Sequence, residues 1–243
     1  MIAVVAAMPE ELAALVETAQ SEGEVHEERV IGRSFWTGTL GGAPVVLARS
    51  GVGKVAAAMT ATLLCERADA MVMVGTAGGL GESVHPGDVV VADRLLQHDV
   101  DARPLLPRWQ VDGVVDIEPD ARLTAALADS ADDVVARHRT DLADLGIAEP
   151  RRHTGLIVSG DVFVGSALAS QELRDALPHA LAVEMEGAAL AQVCRSASVP
   201  FAVARTVSDR ADDAASVEYT RFVGDVAAPY ARAVVLGMLA RLT

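Results

Sequence analysis

Lysine is almost absent from this chain. Lys54 is the only one in 243 residues, and 20 Lys plus Arg face 34 Asp plus Glu, a formal charge of −14. Affinity for a nucleic-acid backbone rests on cations that neutralise phosphates, so nucleic acid is not an expected partner. Aromatic residues are also scarce, at 3%. No uninterrupted apolar run reaches the roughly 18 residues that would cross a bilayer, and the start Met1-Ile2-Ala3-Val4-Val5-Ala6-Ala7 carries no basic leader. No membrane association and a cytoplasmic location are therefore expected. Cysteine occurs only at Cys65 and Cys194, inside apolar helix-like segments and outside any metal or redox spacing. These read as free core thiols in a reducing compartment. His98-Asp99-Val100-Asp101 offers one imidazole and two carboxylates but no second His or Cys at ligand spacing, so no metal is expected.

What the chain has in quantity is apolar sequence, 51% of its residues, enough for one α/β domain over residues 1–243. Ile2–Met8 is a continuous apolar run, followed by Pro9 and by Leu12, Leu15, Val16 and Ala19 at helical spacing. Phe35–Leu40 and Pro44–Ser50 flank Gly41-Gly42 and predict a hairpin. Further strands are predicted at Ala70–Gly75, Gly87–Ala92, Gly155–Ser159, Leu181–Glu184 and Phe201–Val207. Helices are predicted at Val55–Arg67, Ala121–His138, Ser170–Leu177, Glu186–Ala197 and within Thr220–Leu242. This alternation predicts a central, largely parallel or mixed sheet with helices on both faces. Leu95–Pro119, with three prolines and little pattern, reads as a long loop.

Three acids follow apolar runs: Glu11 after the first, Glu186 in Val183-Glu184-Met185-Glu186-Gly187, and Asp209 in Arg205-Thr206-Val207-Ser208-Asp209. Ligands of open α/β sheets sit beyond the carboxyl ends of the strands, so three such acids can meet around one ligand. Each also has a plainer reading. Glu11 suits the positive end of a helix dipole, while Glu184, Glu186 and Asp209 suit helix caps or turns. Arg205, inside an apolar strand, needs an anionic partner, and Glu11 or Glu186 could supply it. Gly75-Thr76-Ala77-Gly78-Gly79-Leu80-Gly81 and Gly51-Val52-Gly53-Lys54-Val55 lack dinucleotide and P-loop spacing. No G-x-S-x-G nucleophile elbow is present either.

Taken together, Ala7-Met8-Pro9-Glu10-Glu11, Ser50-Gly51-Val52-Gly53-Lys54-Val55-Ala56-Ala57-Ala58, Gly75-Thr76-Ala77-Gly78-Gly79-Leu80, Gly87-Asp88-Val89-Val90-Val91, Gly155-Leu156-Ile157-Val158-Ser159-Gly160-Asp161, Val183-Glu184-Met185-Glu186 and Ser208-Asp209 resemble the methylthioadenosine/S-adenosylhomocysteine nucleosidases of the nucleoside phosphorylase fold. The resemblance runs through nearly the whole chain. It implies hydrolysis of the N-glycosidic bond of a 5′-modified adenosine, with water as co-substrate and no cofactor. Asp209 would protonate the purine at N7, Glu186 would hold the ribose hydroxyls, and Glu11 would activate water beside Arg205 and Thr76. Phe163 would stack on the base, backbone groups of Val164 would read its edge, and Met185 would pack under the sugar. Met8, Val52 and Tyr219 would line the 5′ end, with Ala77, Gly78, Glu184 and Ser208 completing the substrate-binding set. A homodimer is implied, in which residues 98–109 help to cover the 5′ substituent. That loop departs from the best-known bacterial form, as does Thr76, where Ser is common. Hydrolases of 5′-deoxyadenosine or of futalosine-type nucleosides, a phosphate-dependent phosphorylase, and a non-catalytic nucleoside binder are the alternatives.

Overall fold

A computed structural model describes residues 1–143, 149–215, 222 and 226–242. Ten strands and six helices occur among them. The strands are β1 (Ile2–Ala6), β2 (His26–Val30), β3 (Arg33–Leu40), β4 (Ala43–Arg49), β5 (Ala70–Met73), β6 (Thr76–Gly79), β7 (Val89–Gln97), β8 (Arg152–Ser159), β9 (Ala180–Glu184) and β10 (Phe201–Asp209). The helices are α1 (Pro9–Glu22), α2 (Lys54–Leu64), α3 (Ala121–Ala143), α4 (Ala167–Ala176), α5 (Gly187–Ala197) and α6 (Ala228–Leu242). The strands form one mixed sheet in the order β2-β3-β4-β1-β5-β10-β6-β9-β8-β7.

Strand β1 shows why the sheet sits at the centre. Val4 and Ala6 join a core with the apolar faces of α1, α3 and α6, whereas Ala3 and Val5 face the opposite core with α2 and α5. A strand covered on both sides is apolar without alternation, as the Ile2–Met8 run is. The expected mixed α/β layering, with helices on both faces, holds.

The sheet is not a simple open one, however. Strand β10 pairs with β5 through Phe201–Val203, then with β6 in parallel and with β7 antiparallel through Ala204–Thr206. Its far half therefore closes on itself, and β10 is the seam. Closure leaves Thr206 flanked on both sides, by Thr76 of β6 and Val89 of β7, just before Ser208 and Asp209.

Several elements differ from expectation for physical reasons. Thr76–Gly79, left outside the predicted strand Ala70–Gly75, is strand β6, where Gly78 and Gly79 pair antiparallel with Val183 and Ala182. Glycine has low strand propensity, but Gly79 and Gly78 are needed here because a Cβ would press on Val207 and Val84, and on Ala211 and Asp209, respectively. The predicted Gly87–Ala92 strand runs on to Gln97. Asp93-Arg94 interrupts its apolar run at a register shift against β8, and Leu95, Leu96 and Gln97 are buried beyond it. Only the part after Gln97 is irregular. Strand β2, His-Glu-Glu-Arg-Val, has no apolar signal because it is a charged edge strand. The hairpin forms as predicted, with Gly41 and Gly42 at φ of 58° and 76°, the positive values that a two-residue type I′ turn requires.

Candidate active site

A cavity of about 380 Å³ opens at the strand ends, within the range of small-molecule sites. Its walls come from six separated stretches. Met8 and Glu11 lie at the start of α1, Val52 follows β4, Thr76, Ala77 and Gly78 are on β6, Phe163 follows β8, and Glu184 through Asp209 lie at the ends of β9 and β10. Of the residues expected from sequence, Glu11, Glu186, Asp209, Arg205, Met8, Val52, Thr76, Ala77, Gly78, Phe163, Glu184, Met185 and Ser208 all border it. Val164 lines a smaller adjoining crevice with Gly78, Phe163 and Asp209. Tyr219 lies outside the described residues. Ala7 and Val183 also border the cavity. Neither carries a chemical signal in sequence, since small apolar strand residues look alike on either face.

Glu11 is almost fully buried at the third position of α1. Its Oε2 accepts from the Met8 N–H at 3.1 Å, and its Oε1 accepts from the Thr76 N–H at 3.0 Å and the Thr76 hydroxyl at 2.9 Å. Capping is thus half of what this carboxylate does, and Thr76 fixes the rest of its orientation. Gly75, the first residue of the glycine-rich stretch, separates it from Arg205. A Cβ there would collide with Arg205 Nη1 and come within 3.0 Å of both Glu11 oxygens, so glycine at position 75 allows the acid and the guanidinium to face each other.

The two glutamates after β9 divide their work. Glu184 takes the capping role: it accepts from the Glu186 N–H at 3.1 Å and from the Gly187 N–H at 2.8 Å. Ser159 and Arg205 Nη2 also donate to it. Arg205 therefore finds its main partner in Glu184, with Glu186 at 3.4 Å as the second; Glu11 contributes only across Gly75. Burial opposes the charge on Arg205, yet Glu184, Glu186 and Glu11 together hold its pKa above the ordinary value. Glu186 keeps its carboxyl toward the cavity and accepts from the Gly53 N–H at 2.9 Å. Burial, then repulsion from Glu184, raises its pKa to about 7, against the opposing pull of Arg205 and Gly53.

Asp209 owes its direction to a β-bulge. Thr206 and Val207 pair with Thr76 and Ala77, but it is Asp209, not Ser208, that pairs with Gly78. The extra residue turns Asp209 to the same side as Ser208, and both border the cavity. Asp209 Oδ2 accepts from the Ser208 hydroxyl at 2.7 Å and Oδ1 from the Ala211 N–H at 2.8 Å. Burial raises its pKa in spite of those two donors.

In the loop after β7, Asp99 pairs with Lys54 at 2.6 Å and Asp101 pairs with Arg103. Asp99 also accepts from the Asp161 N–H at 2.9 Å, and Asp161 from the Lys54 N–H at 2.7 Å. The single lysine thus ties the start of α2 to the loops after β7 and β8.

A family model described as the phosphorylase superfamily matches residues 1–240. The 5′-methylthioadenosine/S-adenosylhomocysteine nucleosidase of Mycobacterium tuberculosis is 39% identical over 260 aligned positions, which take in 100% of this chain and 98% of that protein. The chain belongs to the methylthioadenosine/S-adenosylhomocysteine nucleosidase family of the phosphorylase superfamily. Solved structures of this nucleosidase family share its fold. The enzyme of Neisseria meningitidis, in complex with methylthio-immucillin-A, superposes with a TM-score of 0.83 at 34% identity, covering 98% of this chain and 97% of that one. Futalosine hydrolase of Helicobacter pylori is also similar, with a TM-score of 0.84 at 28% identity and 98% and 97% coverage.

The raised pKa of Glu186 has a consequence for stability. Between the ordinary carboxylate value of 4.5 and about 7, the folded state holds a proton that the unfolded state releases. Stability therefore declines as pH rises through this window, and the full penalty is present above it. Glu186→Gln, neutral at every pH, escapes the penalty. At pH 8 it is expected to be more stable than the parent by on the order of 2 to 3 kcal/mol, which is about 5 to 10 °C in melting temperature for a chain of this size. The advantage should shrink toward pH 5. Thermal melts at the two pH values check it, and an advantage that does not depend on pH would contradict the assigned burial of charge.

Proposed function

We propose that this protein cleaves 5′-modified adenosines, with 5′-methylthioadenosine and S-adenosylhomocysteine foremost, to adenine and a 5′-substituted ribose. Family membership makes it a hydrolase of N-glycosidic bonds. The observation that carries the substrate class is the convergence of Glu11, Glu186 and Asp209 on one cavity with Phe163 at its edge.

The chemistry follows from the environment of each acid. As the glycosidic bond lengthens, negative charge gathers on the departing purine and positive charge on the ribose. Asp209, whose burial favours its protonated form, delivers a proton to N7. Glu186 accepts from the ribose hydroxyls and, with Glu11, stabilises the developing oxocarbenium ion. Glu11 takes the proton of the attacking water, aided by Thr76 and Arg205. Phe163 stacks on the base, Val164 offers backbone groups to its edge, and Met185 packs beneath the sugar. Met8 and Val52 line the 5′ end. Phosphate is disfavoured as a nucleophile because Glu11 would repel it.

The working form is a homodimer of single-domain chains in the cytoplasm. Leu105 is 87% exposed and Leu106 48%, and Val52, Val55, Val162 and Phe163 are exposed as well. Val52 and Phe163 border the cavity, and exposed aliphatic and aromatic side chains suit an interface core. Light scattering is expected to give twice the mass of one chain, and Leu105→Asp with Leu106→Asp to give monomers with a raised KM for the nucleoside. A fully active monomer would contradict the dimer.

The test of the function is product analysis with methylthioadenosine, S-adenosylhomocysteine, 5′-deoxyadenosine and futalosine. Adenine release from the first two at the highest kcat/KM supports the proposal. Turnover of futalosine alone would favour the hydrolase that Helicobacter pylori exemplifies. Tight analogue binding without release of base would favour a nucleoside sensor.

A further inference from the structure

Glu184 stands apart from the other acids at the site because its oxygens are fully occupied by the protein. Its side chain is 2% exposed. Four groups from three parts of the chain donate to it: the Ser159 hydroxyl at the end of β8, Arg205 Nη2 on β10, and the Glu186 and Gly187 N–H groups at the start of α5. The same Ser159 hydroxyl accepts from the Ala188 N–H at 2.8 Å, so the first three N–H groups at the start of α5 are satisfied by this one pair of side chains. A carboxylate so engaged has no capacity left for a substrate hydroxyl, and its loss would release Arg205 and α5 together.

We propose that Glu184 is a positioning residue, one buried carboxylate that locks Arg205 and the first turn of α5 so that Glu186 and Arg205 meet the ribose and the water in fixed geometry. This rests on the functional reading above and departs from a direct substrate contact for Glu184. The charge pattern adds an electrostatic role. The groups facing Glu186 are Glu184 from β9, Arg205 from β10, Glu11 from α1 and the Gly53 N–H before α2. Glu184 is the nearest anion in sequence and the one whose repulsion ranks after burial in raising the Glu186 pKa to about 7. Glu186 thereby sits at the midpoint of its titration in the free protein near neutral pH, and it gains hydrogen bonds as a carboxylate when ribose hydroxyls arrive. Substrate binding and proton release are linked through this pair.

The test uses Glu184→Gln and Glu184→Asp. In Glu184→Gln the repulsion disappears and Arg205 is left to Glu186. The Glu186 midpoint should fall by at least about one unit, read by carboxyl carbon-13 NMR with Glu186→Gln assigning the signal. The acid limb of kcat/KM, which reports the free enzyme, should move down with it. Glu184→Asp keeps the charge but cannot span from Arg205 to α5. It should leave the midpoint near 7 and lower kcat by about tenfold or more, as small misplacements of catalytic groups do, with KM little changed. A merely structural Glu184 would lower stability and rate with the limb unmoved, and that result overturns the proposal, as does Glu184→Asp at the parent rate. If Glu184→Gln does not fold, Glu184→Asp decides alone. If the parent protein releases no base from any nucleoside, the functional reading fails, while the NMR midpoints still report whether Glu184 governs Glu186.

Discussion

Asp209→Asn is expected to lower turnover by about 10²- to 10⁴-fold, the usual contribution of a general acid, while leaving binding of an unreactive adenosine analogue within a few-fold of the parent. The amide keeps the shape of the carboxyl, and its oxygen can accept from the Ala211 N–H or from Ser208, whose bonds to Asp209 measure 2.8 and 2.7 Å. It cannot pass a proton to N7. Because burial raises the pKa of Asp209, the protonated form persists to higher pH than for an ordinary aspartate. The rate of the parent should therefore fall on the alkaline side as that proton is lost. The mutant should lack this limb. Steady-state rates across pH, paired with calorimetric binding of the analogue, check both statements. A mutant retaining more than about a tenth of the parent rate would remove Asp209 from the role of general acid.

Glu11→Gln is expected to have an effect of similar size through a different step. The amide that replaces the carboxylate keeps one acceptor oxygen, which can serve the Thr76 N–H and hydroxyl while the Met8 N–H loses its partner, and it cannot take a proton from water. The maximal rate should drop by about 10²-fold or more, with analogue binding nearly unchanged, the pattern of an interaction made only in the transition state. Thr76→Val should lose less. It removes one donor, at 2.9 Å from Glu11 Oε1, and keeps the backbone N–H of position 76 at 3.0 Å. A parallel loss of binding and rate in Glu11→Gln would instead assign Glu11 to substrate affinity.

The alternation of strands and helices was legible because both faces of the sheet are covered, so buried strands appear as short apolar runs such as Ile2–Met8 and Phe201–Val207. The three acids were legible for the same reason: a charge directly after such a run has few ways to be solvated. What stayed hidden was set by partners distant in sequence. Thr76–Gly79 has turn-like composition and becomes a strand only because β10 and β9 flank it. The bulge at Ser208 depends on register against Gly78, which no local pattern encodes. Glu184 and Glu186 are chemically identical two residues apart, and only Ser159 and Arg205 on one side and Gly53 on the other give them separate tasks. The buried Arg205 did announce a need for an anion, but the sequence offered no means of choosing Glu184 over its neighbours.

The measurement that bears most directly on water as the nucleophile is the reaction of 5′-methylthioadenosine in phosphate-free buffer made with oxygen-18 water. Mass spectrometry should find adenine and free methylthioribose carrying one heavy oxygen in the first turnovers, at a rate that added inorganic phosphate does not raise. Formation of methylthioribose 1-phosphate, or a rate that appears only when phosphate is supplied, would contradict Glu11 as the base for a water and make the protein a phosphorylase.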